Sequence, residues 1–491
     1  MKRRLNFALT LAGAAALAGC SLAPTYKVPE APVADHYKEA AQQQGPWVPA
    51  QPSDQVMRDG WWKVYADPQL DDLQQRLLAH NADLEAALAH FDQARAFFQQ
   101  TRADLFPQLS LNGNAQRDRE SDTRPLRGAT SPAWYNSFTA TGEIDYEVDL
   151  WGRVRNAVES GRDQAIAAAA DLASARLSLQ AQLADSYVVL RGLDQQVDLL
   201  KQSTDAFAKA LQLTQTLHQG GIVSGLDVAR AQTQLSTVKS QWSQTLAQRA
   251  LVEHGIAVLV GETPSTFSIA PDTTAIPLPT VPNEVPSTLL QRRPDIAAAE
   301  RRTAASNAEI GVARAAYFPS LGLSVQGGYQ SNLYGGLLST PNRIWAFGPN
   351  ILETIFDGGR RKAEVAAAKA ATEESGAKYR SVVLNAFQQV EDNLAQLDHL
   401  GTARVDQKDA ADASKHSLDL AMDRYKQGAV GYLDVVQAQT VWLDSQRSLL
   451  DIDTRQLRSS VQLIRALGGG WSTDDLAQVL KKPPVRATAA Q

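Results

Sequence analysis

The side chains in this chain that can do chemistry are one cysteine, seven histidines and many carboxylates. No phosphate-binding loop and no His-Glu-x-x-His zinc motif occurs, and Ser224 lacks the glycine spacing of a nucleophile elbow. The histidines have no metal-ligand spacing; they stand at positions 36, 80, 90, 218, 254, 399 and 416. The sequence therefore predicts a protein that is not an enzyme and that has no metal or other cofactor apart from a covalent lipid.

That lipid is predicted at Cys20, the only cysteine, which excludes disulfides and Cys-metal sites. Three basic residues and an apolar stretch (5–16) too short for a membrane span precede it. Residues 17–20 then form a lipobox, the bacterial pattern in which cysteine is diacylated and becomes the first mature residue. We expect a signal peptide over 1–19 and sorting of the lipoprotein to the outer membrane, because Ser21 and not Asp follows the cysteine. The alternative is an ordinary signal peptide that ends in Cys.

Carboxylates alternate with apolar residues in one segment between positions 138 and 149. This period of two predicts a β-strand with one apolar and one polar face. The polar face then forms a hydrated wall. In a pore, that wall would line the lumen and give it a negative electrostatic potential. The predicted lumen residues are Glu143, Asp145, Glu147 and Asp149.

The chain contains an internal duplication. An offset of 207 aligns Gly221–Gln232 with Gly428–Gln439 and pairs Gly152-Arg153 with Gly359-Arg360. An offset of 212 pairs Phe106-Pro107 with Phe318-Pro319. The chain is therefore predicted to be two copies of one unit.

Each copy predicts a helix, two strands and a long helical hairpin. The opening helices are expected over 70–103 and 289–316. Residues 153–219 and 360–427 contain no proline, and each would form a helix about 100 Å long at 1.5 Å per residue. Apolar residues in a three-four spacing, from Leu190 to Thr214, indicate a coiled-coil seam. Beyond residue 20 no apolar run reaches the roughly 18 residues of a membrane helix.

Four strands of about ten residues fit a transmembrane barrel but cannot close one. Two copies of the chain would give eight strands, whose interior side chains largely fill, whereas three would give twelve around a wet lumen. The polar inner faces favour the trimer. The predicted fold class is therefore α+β, with four transmembrane strands and two coiled-coil helical hairpins per protomer.

The predicted domain boundaries follow from these elements. An extended tether and equatorial segment covers 20–68, where several prolines make it stiff. The first repeat covers 69–282, with a β-hairpin at 106–149 and a helical hairpin at 153–260. The second covers 283–470, with a β-hairpin at 318–356 and a helical hairpin at 360–467. A C-terminal tail covers 471–491.

Several motifs together make the chain resemble the TolC-like outer-membrane factors, and specifically the lipoprotein branch that works with RND drug pumps. Besides the lipobox, the motifs are Trp61-Trp62-Lys63-Val64-Tyr65 with Asp67-Pro68, Asp149-Leu150-Trp151-Gly152-Arg153, Arg292-Arg293-Pro294-Asp295-Ile296, Phe356-Asp357-Gly358-Gly359-Arg360 and the turn at 425–439. The resemblance implies a homotrimer with a 12-stranded β-barrel in outer-membrane lipid and a periplasmic α-barrel. It also implies two partners, a periplasmic adaptor (a membrane fusion protein) and an inner-membrane RND transporter.

The resemblance also assigns roles at the hairpin turns. It makes Asp434 a ring at the periplasmic aperture, together with Gln437, Asp227 and Arg230, and it pairs Tyr425 with Asp227 as a latch. The chain departs from the family pattern at Gln437, where a second aspartate is common, and at one latch arginine, which is Val430 here. Read from the residues alone, Asp227 and Asp434 are also carboxylates that favour a helix start.

The resulting functional prediction is the exit duct of a drug-efflux system. Two alternatives stay open, a duct that serves a type I protein-secretion system and a structural coiled-coil lipoprotein without a channel. The net charge of −5 over 491 residues gives no basic excess and argues against nucleic acid as a partner.

Overall fold

The computed structural model describes residues 21–32, 37–39, 60–121, 133–279 and 293–469. The helices in these ranges are α1 (Pro68–His80), α2 (Ala82–Ala103), α3 (Arg153–Gln219), α4 (Gly225–Leu259), α5 (Pro294–Ala315), α6 (Arg360–Lys426) and α7 (Tyr432–Ala466). The strands are β1 (Gln108–Arg119), β2 (Trp134–Val148), β3 (Ser320–Ser331) and β4 (Arg343–Leu352).

The chain divides into two compact units. Unit 1 consists of Met1–Pro29, Phe91–Ala168 and Ala298–Tyr379, and it contains all four strands. Unit 2 consists of Glu30–His90, Ala169–Ala297 and Arg380–Gln491, and it contains the two turns that close the helical hairpins. The predicted lipidation at Cys20, the signal peptide and the tail at 471–491 lie outside the described residues.

The long helices form where proline is absent, as predicted. α3 and α6 are each 67 residues long, and α4 and α7 are each 35. The helical pattern over 70–103 forms two helices, because the backbone of Asn81 is extended and separates α1 from α2. The Asn81 side chain accepts a bond from Leu84 N at 2.8 Å and donates to Leu259 O at 2.8 Å, so it caps one helix and contacts another. None of the helices in the described ranges is long and apolar enough to span a membrane.

Unit 1 contains one antiparallel sheet in the order β1-β2-β3-β4. Leu109, Ile144, Val325 and Phe347 lie in one row across it, and most apolar residues of the four strands share their face. The exceptions in β4 are Ile344, Ala346 and Leu352, which lie on the opposite face. The next row carries Ser110, Glu143 and Gln326 on the opposite face. The sheet therefore has one apolar and one polar face, as the alternation in β2 predicted.

The register of the sheet repeats the duplication. Gln108 lies opposite Asp145, and Ser320 lies opposite Leu352. β1 and β3 therefore correspond at the offset of 212, and β2 and β4 correspond at the offset of 207 that also relates the helical hairpins. The two offsets differ by five because the loop between the strands of the first hairpin is longer than that of the second.

The N-terminal segment of unit 1, residues 21–29, runs antiparallel to α5. Tyr26 donates to Glu300 Oε1 at 2.8 Å, and Asn307 donates to Pro24 O at 2.8 Å. Arg314 donates to Leu22 O at 3.0 Å, close to the end of α5 that leads into β3. The segment is therefore held along its length by side chains of one helix.

The aromatic motif at 61–65 belongs to the core of unit 2. One core buries Trp61, Trp62 and Tyr65 together with residues of α1, α3, α4, α7 and the segment that follows α4. The Tyr65 hydroxyl lies 2.8 Å from Ser460 Oγ. Asp67 caps α1 and accepts a bond from the Tyr187 hydroxyl at 2.8 Å. These motif residues therefore hold the helices together.

A second core in unit 2, which we call the tip core, lies beside the two hairpin turns. It combines residues from α3, α4, α6 and α7, and its α3 residues belong to the predicted coiled-coil seam. Its buried members are Leu200, Phe207, Leu211, Ala231, Leu235, Val238, Tyr425, Tyr432, Val435 and Leu443.

Candidate functional site

The two hairpin turns have the same backbone geometry. In the first, Gly221 N donates to His218 O and Ile222 N donates to Leu217 O, both at 2.9 Å. In the second, Gly428 and Ala429 make the same two bonds at the same distances. Gly221 and Gly428 have φ of 75° and 73°, the left-handed conformation that ends a helix most easily at glycine. The duplication therefore places two equivalent tips in unit 2.

The two tips differ at the residue that caps the helix after the turn, which is α4 in the first tip and α7 in the second. Ser224 caps α4 and forms a capping box with Asp227, whose carboxylate accepts from the Ser224 hydroxyl at 2.8 Å. Asp227 also pairs with Arg230 at 3.4 Å. The corresponding cap of α7 is Gly431, which has no side chain to donate. The Ser-x-x-Asp pattern would have revealed this difference in the sequence.

Asp434 consequently has a different environment from Asp227. It lies in the first turn of α7 and is exposed. Among the residues that the structure describes, it has neither an ion pair nor a side-chain hydrogen bond. Gln437, one turn further on, is also exposed. Of the two carboxylates predicted at the aperture, Asp434 is thus the one whose charge is not compensated inside the chain.

Tyr425 is buried in the tip core and has a partner other than the predicted one. Its hydroxyl donates to Thr214 Oγ1 at 3.4 Å, and its ring meets that of Tyr432 edge-on at 5.2 Å. Burial, together with the neighbouring Tyr425, raises the pKa of Tyr432 to about 12. Asp227 is engaged with Ser224 and Arg230. The latch between Tyr425 and Asp227 therefore stays a prediction.

Val430 stands where the family pattern has a latch arginine, and it packs against the tip core. An apolar side chain there contributes burial in place of a charge-assisted bond. Tyr425, Tyr432 and Val435 are each at most 5% exposed in that core. In this chain, the observed contacts that hold the second tip are therefore chiefly apolar.

The predicted lumen carboxylates divide into two pairs. Glu143 accepts a bond from Asn112 at 3.3 Å, and Asp145 is exposed on the same face. Glu147 instead binds Arg153 through bonds of 2.8 and 2.5 Å. Asp149, just beyond β2, accepts from Arg155 N at 2.9 Å and from its Nε at 3.2 Å.

The arginines were not predicted as part of this site, although the spacing of six residues in both pairs was a signal in the sequence. They reduce the negative field near the start of α3. The uncompensated charge on the polar face therefore lies at Glu143 and Asp145. No cluster of histidine, cysteine or carboxylate side chains suited to a metal ion occurs within the described ranges.

Known proteins are similar to this chain along nearly its whole length. The probable efflux pump outer membrane protein TtgC of Pseudomonas putida is 34% identical over 474 residues, or 96% of each protein. The outer membrane protein OprJ of Pseudomonas aeruginosa is 31% identical over 459 residues, or 93% of this chain and 94% of OprJ.

A solved structure of the outer-membrane channel OprN is also similar. It has a TM-score of 0.84 and 30% identity, and the match covers 92% of this chain and 100% of that one. The fold-class prediction, long helical hairpins from two tandem repeats with four strands, is confirmed.

Both copies of the duplication match one protein family. The family is described as outer membrane efflux protein, and it matches residues 73–262 and 285–469. These ranges contain the four strands, both long helical hairpins and both tips. The chain therefore belongs to the outer membrane efflux protein family.

Proposed function

We propose that this protein is the outer-membrane exit channel of a tripartite efflux system and that it works as a homotrimer. The observation that carries the proposal is the sheet of unit 1, which has one apolar and one polar face. Within the part of the chain that the structure describes, its two outer strands each have a neighbour on one side only. Such a sheet suits a wall between lipid and water and is incomplete as a monomer. Family membership agrees with the prediction that the chain is a transport protein and not an enzyme.

Three copies supply twelve strands, enough for a barrel with a water-filled lumen. The apolar face would meet outer-membrane lipid, and Glu143 and Asp145 would face the lumen. Their charges favour cations over anions near the pore wall.

The covalent lipid at Cys20 would be a second anchor. Ser21 donates to Asn156 Oδ1 at 2.8 Å, near the start of α3 and so close in sequence to the end of β2. This contact supports an attachment point next to the end of a strand. The acyl chains would assist anchoring, whereas the strands bury most of the apolar surface.

The helical tips would form the periplasmic aperture. With three subunits, Asp434 would contribute three carboxylates around the axis, and Gln437 would add a neutral ring one turn away. Like charges repel, so closure depends on the packing of the tip core. A periplasmic adaptor that favours the splayed state would open the aperture.

The expected partners are a periplasmic adaptor and an inner-membrane RND transporter. Relatives such as TtgC bear names of efflux pump outer membrane proteins, which supports a role in the same kind of system. We propose drugs or other small toxic compounds as the cargo, which the pump and not the exit duct selects.

The assembly can be tested with purified protein in detergent. Light scattering should give the mass of three chains, and the same preparation should produce discrete conductance steps in a planar bilayer. A stable folded monomer, or a trimer that never conducts, would contradict the proposal.

The anchor has an independent test. Mass spectrometry of the mature N-terminus should find a diacylated Cys20, and Cys20→Ala in an exported protein should still yield trimers. An unmodified residue other than Cys20 at the N-terminus would refute the lipid, and loss of trimers would refute its auxiliary role.

A further inference from the structure

Charge is distributed unevenly over the two faces of the unit 1 sheet. On the apolar face of the four described strands the charged residues are all arginines, namely Arg117 and Arg119 on β1 and Arg343 on β4. The carboxylates of the same strands all lie on the opposite face, and they are Asp118, Glu143, Asp145 and Glu147. The face that suits lipid therefore carries positive charge and no negative charge.

The uncharged part of the apolar face has the height of a membrane. On β2 this part runs from Phe138 to Val148, and at about 3.3 Å per residue it is about 33 Å long. A strand tilt of about 45° converts this length into a height of about 23 Å, close to the apolar band of about 25 Å in outer-membrane barrels. The face can therefore place uncharged residues across the hydrocarbon and charged residues at its border.

All three arginines lie toward the end of the sheet where the two strands of each hairpin are joined. β1 ends at Arg119 and β4 begins at Arg343, whereas the long helices α3 and α6 follow the other end of the sheet. Arg117 and Arg119 lie opposite residues of β2 that precede Phe138. The long side chain of Arg343 can extend toward the same border. The three cations therefore mark one border of the apolar face, which in a membrane is the depth of the lipid headgroups.

Aromatic rings accompany these arginines. The guanidinium groups of Arg117 and Arg119 lie over the Trp134 ring, 5.9 and 5.2 Å from its centre. Tyr329 lies directly opposite Arg343 on the same face. Tryptophan and tyrosine are enriched where hydrocarbon meets headgroups. A guanidinium that stacks on a ring keeps its in-plane N–H donors available for an acceptor.

The arginines at the opposite end of the sheet are neutralised inside the chain. Arg153 pairs with Glu147 at 2.5 Å, and Arg155 pairs with Asp149 at 3.2 Å. Arg117, Arg119 and Arg343 are exposed, and none of them forms an ion pair with another residue that the structure describes. The positive charge is therefore cancelled at the helix end of the sheet and stays available to an anion at the loop end.

We propose that Arg117, Arg119 and Arg343 bind the phosphate groups of a phosphorylated glycolipid in the outer leaflet of the outer membrane. The inference rests on the proposed channel, which puts the apolar face in lipid and the loop end of the sheet at the outer surface. The guanidinium fork matches phosphate oxygens through paired N–H donors. The apolar residues below the arginines would contact the acyl chains of the same lipid. A zwitterionic headgroup fits less well, because its own cation would face three arginines.

The lipid preference can be measured on the full-length parent protein in detergent. The probe is diphosphoryl lipid A, and lipid A without its two phosphates is the matched control. The parent should bind the diphosphoryl form roughly tenfold more tightly. Inorganic phosphate should displace no more of this lipid than chloride does at equal ionic strength, because the acyl chains contribute to binding. Equal affinity for the two lipids would overturn the proposal, and displacement by phosphate would show a site for the free anion instead.

Two sets of variants identify the residues. Arg117→Gln with Arg119→Gln should weaken binding of diphosphoryl lipid A roughly tenfold and leave binding of the dephosphorylated lipid unchanged. Arg343→Gln should weaken the same binding by itself, which tests β4 separately. The control is Arg360→Gln with Arg455→Gln, which removes as much charge as the first variant from exposed positions on α6 and α7 and should bind like the parent. If the β1 double variant binds like the parent, the arginines are not the lipid site.

Light scattering and bilayer conductance of the same samples keep this proposal separate from the proposed channel. A trimeric, conducting protein that binds both lipids equally would refute the lipid site alone. A parent that is neither trimeric nor conducting would refute the channel. If the β1 double variant does not fold, the comparison of the two lipids on the parent and on Arg343→Gln still decides the question.

Discussion

Arg249 on α4 donates to Asp194 on α3 across 2.6 Å, and the Asp194 side chain is only 1% exposed. The same guanidinium donates to Ile269 O at 2.7 Å, and Asp194 also accepts from Asp272 N at 3.1 Å. One buried ion pair therefore joins both helices of the first hairpin to the segment that follows them.

Replacing Arg249 should leave a buried carboxylate without its cation. We expect Arg249→Ala to lower the free energy of unfolding by about 3 to 5 kcal/mol. Arg404→Ala is the matched control, because Arg404 and Asp453 are 46% and 32% exposed and their pair is worth below about 1 kcal/mol. Denaturant titration of both purified variants measures the difference, and equal losses would contradict this account.

Gly311 on α5 lies against the N-terminal segment that runs along this helix. A Cβ at this position would come 2.8 Å from Ala23 Cβ and even closer to the Asn156 amide. Gly311→Val should therefore displace residues 21–29 and speed tryptic cleavage after the exposed Lys27. Gly255→Ala is the control, since nothing lies within 4 Å of a Cβ there. An unchanged cleavage rate in Gly311→Val would show that the segment is not held by this contact.

Burial, reinforced by Glu159, raises the pKa of Asp163 on α3 to about 6 despite the nearby Arg301. Because the folded-state pKa exceeds the usual value of about 3.9, ionisation costs the folded state free energy as the pH rises through 6. Asp163→Asn should thus stabilise the protein at pH 8, by at most about 3 kcal/mol, and the gain should shrink as the pH falls below 6. Unfolding midpoints of the parent and the variant between pH 4.5 and 8 measure this gain in stability. A gain that does not change with pH would refute the raised pKa of Asp163.

The tip latch predicts a gain of conductance. Tyr425→Phe removes a bond that is worth about 0.5 to 1.5 kcal/mol, and Asp227→Ala removes the capping box and the Arg230 pair. If these contacts hold the aperture shut, the double variant should conduct more in planar bilayers than the parent. The single variant Tyr425→Phe distinguishes the effect of losing the Tyr425 hydroxyl from the effect of losing the cap of α4. An unchanged conductance would mean that the tips are not the gate.

The carboxylate ring predicts a change in block by ions. Asp434→Ala should be blocked less by trivalent cations added on the periplasmic side, because it removes three uncompensated charges from the proposed trimer. Asp419→Ala, whose carboxylate is paired with Lys415 on α6, is the control and should be blocked like the parent. If both variants are blocked equally, Asp434 does not act at the aperture and is only a carboxylate at the start of a helix.

Local signals predicted the fold better than the site. Proline-free stretches defined α3 and α6, and alternation in β2 defined the two faces of the sheet. The contact of the Asn81 side chain with Leu259 was not predicted, because Leu259 is remote in sequence. The same holds for Thr214 as the partner of Tyr425, since 211 residues separate them. Contacts between remote elements decide such details, and periodicity does not report them.

The strand order of the sheet has a consequence for folding kinetics. The residues of each hairpin are close in the chain, whereas Phe138 of β2 must find Ser331 of β3 across the whole first helical hairpin. Contacts between remote residues form slowly, because a long loop must close first. We therefore expect the two strand hairpins to form early and to join only after α3, α4 and α5 have folded. The association of subunits in the proposed trimer is intermolecular and comes last, so its rate alone should rise with protein concentration.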